Sequence, residues 1–473
     1  MLRLCFGLLA LAAAGQAHVG SPDVFYEGSA GPYHLLVTIR PPEVIPGVAE
    51  LEIRSASPDV HSIRIVPLPV TGPGTRLAPT PDNARRSKED PQFFTGSLWL
   101  MRSGSWQVRI MADGARGSGE LSVPVPALAL RTRTMQKALG AVLFVLGLVL
   151  ALGLVSIVGA GVREAQCEPG EQPSARQRRR AHFAMAGTAL VVAAVIYLGN
   201  QWWSDEAAGY GRNVFKTLEL SPSLEAPDRL RLQLRDPGWL GFRKTDDLAP
   251  DHGHVMHLYV IHVPDMAAVW HLHPEMINPG ELLQRLPTMP AGRYQLFGDI
   301  VHENGLPETV TTEISLPQIE GQSLAGDDAG GTGPVLGNAR ETVFRLPDGY
   351  RIVWEKSADR FRVRQLTLFR FSVQDPQGQP ARDMELYMGM AGHAAFVRED
   401  RSVFAHVHPS GSVPMASLAL VQPHLVHLME HAGISPTVTF PYGFPTSGKY
   451  RIFVQVKRGG TVETAMFDAG VEN

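Results

Sequence analysis

The sequence predicts a mainly β protein, with β-sandwich domains set on a two-helix transmembrane hairpin. Three observations predict it. Short alternating runs punctuated by turn residues lie on both sides of the chain's middle; 37 Pro, 47 Gly and 8% aromatics among 473 residues suit strands and turns better than long soluble helices. Two uncharged apolar runs stand between them, at 138–162 and 183–199. A histidine-bearing stretch then occurs twice, at 254–274 and again at 392–409.

The bulk properties narrow the function class. The length exceeds one ordinary domain. A net charge of -3 with 19% charged residues excludes a nucleic-acid binder that relies on a broad basic surface. Cys5 and Cys167 are the only cysteines, too few for a disulfide framework.

In chain order, residues 1–17 read as a secretory signal: Arg3, an apolar core, then Gly15-Gln16-Ala17 as a small-residue exit. Cleavage there leaves His18 first, either the start of a flexible tail or, through amine plus imidazole, a copper chelate. Residues 18–130 form an N-terminal β-sandwich by their alternating runs and Pro-rich turns, with His34 and His61 as structural or exposed strand residues.

The run 138–162 is long enough for a tilted helix, since at about 1.5 Å per residue it exceeds a hydrocarbon core of about 30 Å. The loop 163–181 carries Arg163, Arg176, Arg178, Arg179 and Arg180, which places it in the cytoplasm by the positive-inside rule. The second span, 183–199, ends near Trp202 and Trp203 at an interface. Signal and charge bias agree on a two-pass inner (plasma) membrane protein whose soluble domains face the periplasm or exterior. Neither span holds a mid-membrane ionisable residue, so nothing points to an ion pathway.

Residues 205–318 and 341–473 are two versions of one histidine-containing sandwich, joined by a flexible Gly/Asp-rich linker at 319–340. Pro290-Ala-Gly292-Arg-Tyr294 in the first corresponds to Thr446-Ser-Gly448-Lys-Tyr450 in the second. Both contain Asp-x5-His-x-His-Pro: Asp265 to His271, His273 and Pro274, and Asp400 to His406, His408 and Pro409. A further histidine precedes each Asp, His257 and His393.

Alternate residues of a strand share a face, so His271 with His273, and His406 with His408, point the same way. A facing strand brings His257 or His393 beside the pair. Three imidazoles per module make a metal site, and the expected ligands are His257, His271, His273, His393, His406 and His408. Met256 and Met390 lie close by and add thioether character, which favours copper over the alternative, zinc. Outside the cytoplasm glutathione does not compete for copper. His252, His254, His262 and His302 are extra to the first module, and the first three read as auxiliaries, because the second module does not preserve them. His424, His427 and His431 have helical spacing, and Asp265 and Asp400 read as turn formers.

Catalysis finds no support. No phosphate-binding Gly loop, Cys-x-x-Cys or triad order occurs, and Glu275 follows His273 too closely for a cupin-type ligand set. The chain is therefore not expected to be an enzyme.

On the residues 257–273, 290–294, Met390, His393, His406, His408 and 448–450, the two modules resemble the YtkA-like family, extracytoplasmic domains related to FixH-type and CopC-type proteins. The resemblance implies immunoglobulin-like sandwiches and a role in copper storage, buffering or delivery. It also implies an alternative: a scaffold, or an assembly protein for respiratory complexes, with an envelope protein partner and no bound metal.

Overall fold

The computed structural model describes residues 23–239, 243–337, 339–423 and 434–473. The signal segment, His18, and His424, His427 and His431 lie outside the described residues. The chain divides into two compact units, Met1–Ala129 with Lys216–Asn473, and Leu130–Phe215. The first is built of open, mostly antiparallel sheets; the second contains two apolar helices.

In the N-terminal region a five-stranded sheet runs, in spatial order, Val24–Ala30, Tyr33–Arg40, Gly47–Ser55, Phe93–Leu100 and Arg85–Arg86. A four-stranded sheet pairs Asp82–Asn83, Val60–Pro69, Gly104–Gly114 and Gly117–Ala127. Alternation explains the layering. Val37, Ile39, Leu51 and Ile53 from one sheet meet Ile63, Ile65, Val108 and Ile110 from the other in one buried apolar cluster, while intervening residues such as Glu50 and Arg54 face outward.

The first histidine region pairs a four-stranded sheet (Glu219–Glu225, Arg229–Arg235, Glu281–Arg285, Glu275–Asn278) with a five-stranded one. The latter runs Pro307–Leu316, Gly292–Val301, His257–Val263, Ala268–Leu272 and Ala329–Thr332. The second region repeats the plan: a sheet of Val343–Arg345, Arg351–Trp354, Thr367–Gln374 and Thr437–Tyr442, and a sheet centred on Thr461–Glu472, Gly448–Arg458, His393–Arg398 and Phe404–Val407.

The segment between the regions corrects the expectation of a slack linker. Ala329–Thr332 adds to the sheet edge along Ala268–Leu272, with Ala329 opposite His271. Small residues allow it: a side chain on Gly331 would collide with Thr464 of the second region. Leu336 also donates its amide to Asp265 O at 3.1 Å and packs on the apolar contact between the two regions.

In the other unit, helices Lys137–Glu164 and Ala175–Arg212 are both long and apolar enough to cross a membrane. The second begins earlier than the apolar run, within the arginine-rich loop, because Ser174 and Gln177 form a reciprocal capping box. It continues past Trp202 and Trp203 to Arg212, having no Pro or left-handed Gly to stop it. Gly159 gives way to Met185, whose sulfur would lie 2.6 Å from an added Cβ. Phe144, Ile157, Leu190 and Val195 stay exposed on the pair.

Candidate metal centre

Strand parity sets the histidines on an unexpected side. In His257–Val263, Leu258 and Val260 enter the core of their own region. His257, Tyr259 and Ile261 therefore face the other way. In His393–Arg398, Ala394 and Phe396 face their own core, so His393, Ala395 and Val397 point outward too. The two outward faces meet each other. Ile261, Val269 and Phe297 pack on Val397, Phe404 and Phe453, with Phe297 stacked on Phe404 at 4.4 Å. One end of this contact is apolar; at the other end the imidazoles of both regions converge.

His257, His271 and His273 are buried, and one nitrogen of each lies within 4.8 Å of the others. His257 Nε2 lies 3.1 Å from Asp251 O, a carbonyl that only accepts, so Nε2 carries the hydrogen and Nδ1 is a lone pair. His271 Nδ1 lies 2.8 Å from Gln455 Oε1 and donates to it, which leaves Nε2 as a lone pair. Those two lone-pair nitrogens face each other at 3.0 Å. Nitrogens each about 2.0 Å from one ion stand about that far apart. His273 is turned by Asp328, which accepts from its amide and from Nδ1, both at 3.0 Å. His273 Nε2 is then buried without a hydrogen-bond partner among the described residues.

A second group joins both regions. His252, His393 and His408 likewise bring ligand nitrogens within 4.8 Å of one another. His408 is held by Val413 O at Nδ1, 3.2 Å, and its loop closes through reciprocal 2.8 Å bonds between His408 and Gly411. The N-terminal strand Val24–Ala30 braces that loop: Glu27 N donates to Ser410 O and Ser412 N to Phe25 O. His406 stands among the rings, 5.2 Å from His257 and 5.3 Å from His393 between centroids, with Nδ1 3.4 Å from Asp299. His254 stacks on His273 at 4.0 Å and bonds Asp327 through Nε2.

All six expected histidines thus lie in one cluster rather than in two separate modules. Two residues read as auxiliaries, His252 and His254, join it. Their signal was the density of the run Asp251-His-Gly-His-Val-Met-His257. Gln455, the pair Asp327 and Asp328, and Tyr387, whose hydroxyl donates to Asp327 O at 2.7 Å and lies 3.3 Å from His271 Nδ1, carried no motif. His262 and His302 stay apart. The former bonds Asp265 at 2.8 Å beside Tyr294, and the latter sits between Asp247 and Glu308. Met256 packs in the apolar core of the first region, and Met390 against Val413 and Met415 in the N-terminal cluster. Asp265 and Asp400 shape turns, accepting from Ala267 N and Ser402 N.

Burial, reinforced by the neighbouring rings, holds His257, His271, His393 and His408 well below the ordinary imidazole range. The same causes bring His406 down to about 3. Burial lowers His273 as well, partly offset by Asp328. Asp299 is pushed up to about 7 by burial. Neutral rings offer lone pairs, the form that binds metal. The clustered histidines are able to coordinate a metal ion.

No curated protein matches the chain. Among solved structures, it aligns with an engineered protein at 15% identity, covering 20% of each chain, TM-score 0.16. It thus spans about a fifth of that protein. It also aligns with E. coli alpha-2-macroglobulin in the native conformation, at 9% identity over 97% of this chain and 23% of that one, TM-score 0.21. A tetra-tandem repeat from the extending region of a large adhesion protein aligns at 8% identity, over 90% of this chain and 71% of that one, TM-score 0.16. Scores this low do not establish a shared fold. Residues 213–317 and 342–473, half of the sequence, match one family, and the chain belongs to it: the family described as Domain of unknown function (DUF8832).

Proposed function

We propose that the protein is a membrane-anchored, extracytoplasmic copper-binding protein that stores, buffers or delivers the ion. Binding and release, rather than turnover, is the activity. The facing nitrogens His257 Nδ1 and His271 Nε2 carry the reading: a cation between them satisfies both lone pairs, and burial disfavours a proton in its place.

Copper is favoured over zinc by two considerations. Nitrogen sites bind Cu(II) more tightly than other divalent first-row ions, and the centre offers imidazoles without thiolate. With Met256 and Met390 turned into apolar cores, imidazole rather than thioether sets the preference. The exposed apolar faces of the two long helices, with the arginines of the connecting loop, support a hairpin anchored from the cytoplasmic side. The three β regions are read as immunoglobulin-like sandwiches, in keeping with the resemblance of the two histidine regions to YtkA-like domains.

Isothermal titration of the full chain in detergent with Cu(I), Cu(II) and Zn(II) tests the proposal. Copper is expected to bind more tightly than micromolar and more tightly than zinc. Absence of such binding would favour an envelope scaffold or respiratory assembly protein without metal.

A further inference from the structure

The triad of His257, His271 and His273 uses three of eight clustered imidazoles. Four others each retain a buried nitrogen with no hydrogen-bond partner among the described residues: His252 Nε2, His406 Nε2, His408 Nε2 and both nitrogens of His393. A polar atom left bare in a protein interior is costly, and four such rings gathered in one place call for a common ligand.

Their geometry supplies a second coordination set. The rings of His252, His393 and His408 lie 5.1, 5.1 and 5.0 Å apart between centroids, and their ligand nitrogens fall within 4.8 Å of one another. The Val413 carbonyl occupies His408 Nδ1 and so turns Nε2 inward. His406 lies between the two sets. Its ring is 5.2 and 5.5 Å from those of His257 and His271, and 5.3 and 4.7 Å from those of His393 and His408. Asp299 stands behind its Nδ1, which aims Nε2 into the cluster.

We infer that the centre holds two metal ions side by side, resting on the metal-binding reading above. One ion is held by His257, His271 and His273. The other is held by His252 from the first histidine region with His393 and His408 from the second, and His406, between the two sets, has one open lone pair, on Nε2, with which to complete one of them. The second ion therefore cross-links the two regions, a job that a site confined to one module could not do.

The full chain in detergent, titrated with Cu(II) alone, tests the inference by bound copper per chain after desalting and by electron paramagnetic resonance. Two ions per chain are expected, the second equivalent broadening or abolishing the isolated-ion signal by dipolar coupling. His252→Asn should retain one ion with an uncoupled signal. Asn suits the left-handed backbone of this residue, φ 52, so folding should survive. His408→Gln should give the same loss from the other region, and His262→Ala, outside the cluster, should keep both ions. A wild-type stoichiometry of one, or two ions that persist in both His252→Asn and His408→Gln, would overturn the pair while leaving the first site standing. No bound copper at all would instead remove the metal-binding reading itself.

Discussion

His257 Nδ1 and His271 Nε2 face each other across 3.0 Å, each left as a lone pair by the hydrogen bond on the far side of its ring. The oxygen that fixes His271 belongs to Gln455, which lies in the other histidine region and anchors its own amide group on Thr464. Groups that orient a ligand ring typically contribute about 10–100-fold to metal affinity. Gln455→Leu should therefore weaken copper binding by about that factor while leaving the three histidines in place, as read by competition titration with a chelator.

Asp328 makes the corresponding bond to His273 and also accepts from Gln284 at 3.0 Å. Asp328→Ala should again weaken binding about 10–100-fold. Asp327→Ala should do less, because the Asp327 carboxylate bonds His254, outside the triad, and makes no hydrogen bond to His273 among the described residues. The same titration separates the two.

The metal-free protein should be acid-labile. The folded state lowers His257, His271, His273, His393, His406 and His408, so below the unfolded value near 6.5 the unfolded chain binds protons that the folded chain refuses. Their contribution is present above that pH and is lost progressively as pH falls below it. Thermal melts should show Tm falling between pH 6.5 and 4.5 for the metal-free protein, and bound copper should raise Tm at every pH where it stays bound.

The contact between the regions rests on Phe297 and Phe404, both buried and stacked. Phe404→Ala should destabilise the protein by about 3–5 kcal/mol through the cavity it leaves. Urea unfolding of the variant should show a lower midpoint, and an unchanged midpoint would argue against this packing.

Much of the centre was legible because period-2 spacing fixes which residues share a face, so that His271 goes with His273 and His406 with His408. Which face that is could not be read. His257–Val263 is buried on both sides but for His262, and a strand apolar on both faces carries no mark of its inner side. The repeat therefore suggested one site per module, whereas the two faces close on each other. His252 sits in a left-handed turn outside any periodic run, so pattern gave no reason to promote it. Asp327 and Asp328 looked like solvated linker, since composition cannot show that a short Gly-rich strand will dock against a sheet edge. The helix pair was plain from hydropathy, but its start was set by the Ser174 and Gln177 cap rather than by apolar residues.

The most direct measurement is elemental analysis of the intact protein extracted from membranes, alongside a His271→Ala/His273→Ala variant. Copper in the wild type, with at least the ion of the first triad missing from the variant, is the predicted result. A wild-type protein without copper, or a variant that retains its full copper content, would contradict the account.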